Sequence, residues 1–142
     1  MEKRGKRVYL DSNVFISLFN EEIGAGLRGL FAEAESFFDR IKEDKHVLVL
    51  SEVFFREVER KTFLPKGGVL GFLNDRQIIV ECVEEGEKFP IKKFLDAGLH
   101  FSDALHAALA TRHNCDCIVT FNLKDFLLAN NKILVFTPAD FT

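Results

Sequence analysis

Apolar residues along the chain fall into two alternating patterns. Short runs rich in Val, Ile and Leu occupy residues 7–10, 46–50, 77–83, 116–120 and 133–136, and most are apolar at odd and even positions alike. Strands covered on both faces read this way, because consecutive side chains point to opposite sides of a sheet. Between the runs the period changes to that of a helix. Residues 14–19 make one such stretch, and in residues 27–41 Leu27, Leu30, Phe31, Ala34, Phe38 and Ile41 recur at helical spacing. Further helices are predicted over 52–61, over about 84–97 with an interruption or restart near Pro90, over 102–112 and over 124–129. A short apolar piece follows "PKGG", and "LPKGGV", residues 64–69, is the most loop-like stretch.

Strand and helix alternate along the whole length, which predicts an α/β fold: a three-layer α/β/α sandwich around a mainly parallel sheet of about five strands with right-handed crossovers. At 142 residues, with 47% apolar content and 16 Phe, one core and a single domain over residues 1–142 are expected. A formal net charge of −3 excludes a broadly basic surface, so any nucleic-acid binding must use local Lys and Arg or a metal ion. Three Cys, an odd number, argue against a disulfide framework and for a reducing, cytoplasmic setting. Cys115 and Cys117 lie two apart in a predicted strand and are expected to share one face. The basic start "MEKRGKR" runs into Asp11, Ser12 and Asn13 too soon for a signal peptide, and no uncharged apolar run of about 18 residues predicts a membrane span.

Polar residues become informative where they break these patterns. Asp11 ends the first strand, at the carboxyl edge where an open parallel sheet collects its ligands. Asp103 sits in the first turn of "SDALHAALA", residues 102–110, a helix so small and apolar all round that it must lie buried against the sheet. Thr120, Asn122 and Asp125 follow another strand in "VTFNLKDF". In residues 51–61, Val53, Phe54, Glu57, Val58 and the Lys61 stem share one helical stripe, so Glu57 stands inside an apolar face and must be paired, protonated or bound to a cation. Taken singly these residues suit an Asx turn, a helix start or an ion pair. Together they aim several carboxylates at one sheet edge. Such a cluster cannot stay ionised without a divalent ion, and oxygen ligands without a His/Cys set favour Mg²⁺ or Mn²⁺. These ions suit phosphodiester hydrolysis.

"YLDSNVFI", "SEVFFREVE", "SDALHAALA" and "VTFNLKDF", in this order and at these separations, resemble the PIN-domain nucleases, the family that includes VapC-type toxins. The likeness runs from Val8 to Phe126. It implies a compact α/β fold with a parallel sheet and a metal-dependent endoribonuclease site for single-stranded RNA, in a toxin that pairs with an antitoxin. Carried over residue by residue, Asp11 matches the acid after strand one, Glu57 the acid six residues after a Ser, here Ser51, and Asp103 the acid that opens the "DALHAA" helix. Asp11, Asp103 and Glu57 would hold the metal, with Glu57 accepting a proton from the attacking water and Asp125 a further catalytic acid. Ser12, Asn13, Thr120 and Asn122 would hold the carboxylates by hydrogen bonds. Asn122 departs from the pattern, since many relatives carry an acid there. Lys61, Lys66 and Lys124 lie near this edge and would contact substrate phosphates, or serve as solubilising charges.

Other signals point less far. "HNCDC" lacks a second ligand pair at zinc spacing, so its Cys are expected to pack in a strand. His106, one turn beyond Asp103, reads as a hydrogen-bonded interior His that could approach the site. The aromatic surplus at Phe15, Phe19, Phe31, Phe37 and Phe38 suits core packing and, beyond it, a homodimer face or a groove for a partner helix. Two rival functions stand beside the nuclease. A haloacid dehalogenase type phosphatase would need an acid two positions after Asp11, where Asn13 stands; a PIN-like module that binds RNA or protein without cutting is favoured by Asn122.

Overall fold

The computed structural model describes residues 5–22, 28–85, 91–129 and 132–141, and of residues 21, 22, 28 and 29 the backbone alone. Its centre is β1 (Arg7–Leu10), fully buried at Val8, Tyr9 and Leu10. β1 pairs with β2 (Val47–Ser51) on one side and β4 (Cys117–Val119) on the other; β3 (Ile79–Val83) lies outside β2 and β5 (Leu134–Phe136) outside β4. The order is β3-β2-β1-β4-β5, and every pair is parallel. The connections therefore reverse direction between β1 and β4, and it is beyond the carboxyl ends at such a reversal that open parallel sheets take their ligands.

Helices cover both faces, giving the three layers expected from the alternating pattern. On one face α1 (Ser12–Glu22), α2 (Arg28–Glu43), α3 (Glu52–Thr62) and α4 (Lys66–Asp75) pack over Val8, Leu10, Leu48, Leu50, Cys117 and Val119. On the other, α5 (Ile91–Asp96), α6 (Phe101–Arg112), α7 (Leu123–Phe126) and a 3-10 turn, Leu127–Ala129, pack over Tyr9, Val49, Ile118 and Val135. In α6, Ala104, Ala107, Ala108 and Ala110 are wholly buried, and these small side chains let the helix lie close to the sheet.

The structure departs from the sequence reading at three places. "LPKGGV" is not all loop: only its Leu64 and Pro65 are non-helical, and α4 starts at Lys66 and runs through the glycines. Each helical Gly costs about 1 kcal/mol against Ala, whereas burying Val69 and Leu73 returns about 1.5–3 kcal/mol each, so packing outweighs propensity. The helix expected over about 84–97 spans only Ile91–Asp96; Glu84 and Glu85 are not helical, and the stretch around Pro90 lies outside the described residues, as does Leu27. Cys115 precedes β4 rather than belonging to it, after a turn in which Asn114 takes φ 57°, and it packs on the face opposite Cys117. The aromatic residues of the early helices pack in the core as expected, with Phe15, Phe37 and Phe38 buried and Phe19 and Phe31 against them, and exposed apolar surface lies at Phe63, Leu95, Phe101, Leu127 and Leu128 among others. No helix among the described residues is long and apolar enough to cross a membrane.

Candidate active site

Asp11 continues the β1 ladder by one bond, its N–H donating to the Val119 carbonyl at 3.0 Å, and its own carbonyl receives the Val14 N–H of α1 at 3.2 Å. The backbone is thus fixed where strand turns into helix, and the residue is buried, only 6% exposed, at the carboxyl edge of the sheet. Thr120, just past β4 and wholly buried, donates its hydroxyl to Asp11 Oδ2 at 2.7 Å. The same Oγ1 accepts the Asn122 N–H at 3.0 Å and Asn13 Nδ2 at 3.3 Å, which uses its one donor and both acceptors. Asn13 Oδ1 also accepts the Phe121 N–H at 3.2 Å, so α1 is tied to the loop after β4.

Glu57 reaches the same edge from α3. Ser51 caps that helix with extended backbone, φ −94° and ψ 166°, its Oγ accepting the Phe54 N–H at 3.2 Å, and this fixes the helix start and the direction of Glu57. Glu57 is half-buried, as its place on the apolar stripe requires. Its Oε1 accepts from Ser12 Oγ at 3.2 Å and from His106 Nε2 at 2.7 Å. Burial alone pushes this carboxyl up, but the His106 hydrogen bond and charge, the Ser12 hydroxyl and the Lys61 charge hold it below its usual range.

α6 contributes Asp103 and His106 one turn apart. Asp103 is half-buried, and burial first, then the charges of Asp11 and Asp125, push its carboxyl above the usual range, with His106 and His100 opposing. This is the signature of crowded acids. Asp125 is exposed on α7, and Asn122, at that helix's N-terminus, is exposed with its side chain making no cap. Lys61 is exposed but close enough to act on Glu57. Lys66 is otherwise engaged, bonded to Glu52 at 3.0 Å with its ammonium 5.0 Å from the Phe55 ring centre. Lys124 is exposed beside Asp125.

Among the described residues, one group offers metal-ligand atoms within 4.8 Å of one another, and it consists of Asp11, Glu57 and His106. His106 makes a poor ligand as it stands. Nε2 is occupied by Glu57, and Nδ1 lies 2.6 Å from the Tyr9 hydroxyl, so neither nitrogen has a free lone pair. The oxygen donors remain: Asp11 and Glu57 together, with Asp103 in electrostatic reach. Asp11 takes its side-chain hydrogen bond from a neutral hydroxyl, which leaves its charge for a cation, and an all-oxygen set of this kind fits Mg²⁺ or Mn²⁺. The "HNCDC" residues do not converge: His113 Nε2 bonds the Glu84 carbonyl at 2.9 Å, and burial pushes the Cys115 and Cys117 thiols up to about 12.

Sequence reasoning missed Tyr9, which reads as one more core residue of β1. A signal existed in the pairing register. Tyr9 aligns with Val49, so Ser51, two residues on, projects from the same face of the neighbouring strand, where its Oγ lies 2.8 Å from the Tyr9 hydroxyl.

Two solved structures share this architecture. One is a toxin-antitoxin complex from Klebsiella pneumoniae, at TM-score 0.62 and 21% identity over 92% of this chain and 97% of that chain. The other is VapBC2 from Rickettsia felis bound to a DNA fragment from their promoter, at TM-score 0.57 and 16% identity over 91% of this chain and 96% of that one. Among curated proteins, none gives a match. The PIN domain family matches residues 8–130, a span that contains Asp11, Glu57, Asp103 and Asp125. With that match lying over most of the sequence, and the carboxylates placed at the reversal point of a five-stranded parallel sheet, the chain belongs to the PIN domain family.

Proposed function

We propose that this chain is a Mg²⁺- or Mn²⁺-dependent endoribonuclease that cleaves single-stranded RNA, and the toxin of a toxin-antitoxin pair acting in the cytoplasm. The observation that carries the reading is Asp11: a buried residue, 6% exposed, its carboxylate hydrogen-bonded to a neutral hydroxyl, with Glu57 beside it and its charge bearing on Asp103. A buried cluster of this sign calls for a hard cation. Family membership supports a nuclease, and the two structural relatives support an antitoxin partner, since each comes from a toxin-antitoxin assembly.

Asp11, Glu57 and Asp103 would hold the ion, with Asp125 at the rim. A bound Mg²⁺ or Mn²⁺ supplies a more acidic water and neutralises charge on the phosphate. Glu57, kept ionised by His106 and Ser12, takes the proton from the attacking water. Thr120 and Asn13 keep Asp11 in place while charge shifts around it. Lys61 and Lys124 offer cations to flanking phosphates; Lys66 would first have to leave Glu52. Leu95, Phe101, Leu127 and Leu128 supply exposed apolar surface for a homodimer, which light scattering on the purified protein would reveal. Co-purification with the neighbouring gene product tests the antitoxin.

The decisive assay is cleavage of single-stranded RNA with and without Mg²⁺ or Mn²⁺, comparing the parent with Asp11→Asn and Asp103→Asn. Metal-dependent cleavage lost in both variants supports the reading. Its absence from the parent refutes it. RNA retention without cleavage would favour the binding-only alternative, for which Asn122, uncharged at the rim, is the specific feature.

A further inference from the structure

Behind the acidic cluster lies a buried chain of polar groups that no metal ligation requires. It runs from the Phe54 N–H to Ser51 Oγ at 3.2 Å, to the Tyr9 hydroxyl at 2.8 Å, to His106 Nδ1 at 2.6 Å, and from His106 Nε2 to Glu57 Oε1 at 2.7 Å. Tyr9 and Ser51 are wholly buried and His106 is 1% exposed. Three buried polar side chains in an otherwise apolar layer are costly unless each is matched, and here each is, with half-buried Glu57 as the last partner. The two ends of the chain lie on one helix. Ser51 caps α3, and Glu57 stands on α3 less than two turns later, so the loop closes through β1 and α6 and fastens the helix that carries Glu57 to the one that carries Asp103.

Donor and acceptor bookkeeping fixes the sense of the last bond. The ionised carboxylate only accepts, so Nε2 must carry a hydrogen whether the ring is neutral or cationic. With a neutral ring, Ser51 donates to Tyr9 and Tyr9 donates to Nδ1. With a cationic ring, Nδ1–H donates to Tyr9, and the Tyr9 hydroxyl turns to Ser51. The hydroxyls thus absorb either state, and the Nε2–H···Oε1 bond is common to both. Oε1 then carries two hydrogen bonds, from Ser12 and His106, while Oε2 accepts none from the described residues.

We infer that His106, oriented by the buried Tyr9 and Ser51 hydroxyls, is a positioning residue that locks Glu57 through Oε1 and leaves Oε2 as the oxygen offered to the divalent ion. This rests on the reading of Glu57 as part of that ion's site. His106 is therefore not a ligand, although it stands within ligand distance of Asp11 and Glu57.

The test separates the donor from the imidazole's bulk. In His106→Gln the side-chain amide can place N–H where Nε2 was, whereas in His106→Asn it reaches only the Nδ1 position and leaves Glu57 without its donor. Mn²⁺ binding to metal-free protein is measured by titration calorimetry for the parent, both variants and Tyr9→Phe, with thermal unfolding in chelator as the control for packing. His106→Asn is expected to bind Mn²⁺ about 10–100-fold more weakly, and Tyr9→Phe about tenfold. His106→Gln should stay within a few-fold of the parent while unfolding at a temperature close to that of His106→Asn. Where RNA is cut, kcat falls in His106→Asn with KM unchanged. Equal Mn²⁺ affinity in both His106 variants, whether parental or equally weak, overturns the inference. A parent that binds Mn²⁺ but cuts no RNA removes the nuclease reading and leaves the positioning result standing; a parent that binds no Mn²⁺ removes both.

Discussion

Replacing Thr120 by Val tests how Asp11 is held, because the exchange keeps shape and removes one hydroxyl. That hydroxyl donates to the Asp11 carboxylate at 2.7 Å and accepts from Asn122 N–H and Asn13 Nδ2. A hydrogen bond to a charged group contributes about 1.5–3 kcal/mol, and roughly 1 kcal/mol more covers the two amide donors, which lie near enough to water to find other partners. The expected loss in the metal-free protein is about 3 kcal/mol. For 142 residues the unfolding entropy near the midpoint is about 0.3 kcal/mol/K, so Tm should fall by about 10 °C. Thr120→Ser, which keeps the hydroxyl and gives up one buried methyl of about 0.8 kcal/mol, should lose only about 3 °C. Thermal unfolding by circular dichroism in chelator reads both. With saturating Mn²⁺ the Thr120→Val deficit should shrink, since the cation becomes the partner that Asp11 lost. A Thr120→Val protein that unfolds within about 2 °C of the parent in chelator, or no lower than Thr120→Ser, would refute the idea that the Thr120 hydroxyl is what holds the Asp11 carboxylate.

Other outcomes follow from the same geometry. Asp103 titrates above its unfolded value of 3.8 for reasons of burial and neighbouring charge, so its contribution favours the fold below that value and is lost as pH rises through the folded pKa. Asp103→Asn should therefore unfold at a higher temperature than the parent in chelator at pH 7, should lack the parent's gain on adding Mn²⁺, and should not cut RNA; a lower Tm in chelator would contradict the crowding of the acids. His106 is pulled down by burial and raised further by Glu57 and the nearby acids, so its stabilisation is complete below 6.5 and fades as pH rises beyond it, and the parent should melt lower at pH 9 than at pH 6, with a flatter profile in His106→Gln. Lys66→Ala removes only an exposed pair and a ring contact, so the denaturant midpoint should stay within error of the parent's. Ala107→Leu forces bulk between α6 and the sheet and should cost about 1–3 kcal/mol by urea titration, with secondary structure retained.

What the sequence revealed depended on how local the signal was. β1 is bounded at Arg7 and Leu10 as its apolar run suggests, because a central strand buried on both faces leaves no freedom in composition. Glu57 could be found because helical geometry places it on the same stripe as Val53, Phe54 and Val58, three buried residues of α3. The helix through Gly67, Gly68 and Gly71 could not, since what secures it is the burial of Val69 and Leu73 by distant parts of the chain. Cys115 was misplaced for a similar reason: a two-residue period cannot show that the chain turns at Asn114 before the strand begins. Tyr9 and the outcome for His106 depend on strand register and on the approach of α6 to β1, which are tertiary facts. Lys66 sits in the right region, but only coordinates show that Glu52 holds it.

The pairing of β1 with β4 has a further effect on how such a protein comes into being. Asp11 and the hydroxyl that holds it are 109 positions apart, and a parallel pair that distant can form only after the intervening chain exists and its loop has closed. A nascent polypeptide that still lacks Thr120 has its first acid but not the edge it must face. The edge at Asp11 is thereby completed only once the chain has been made through Thr120.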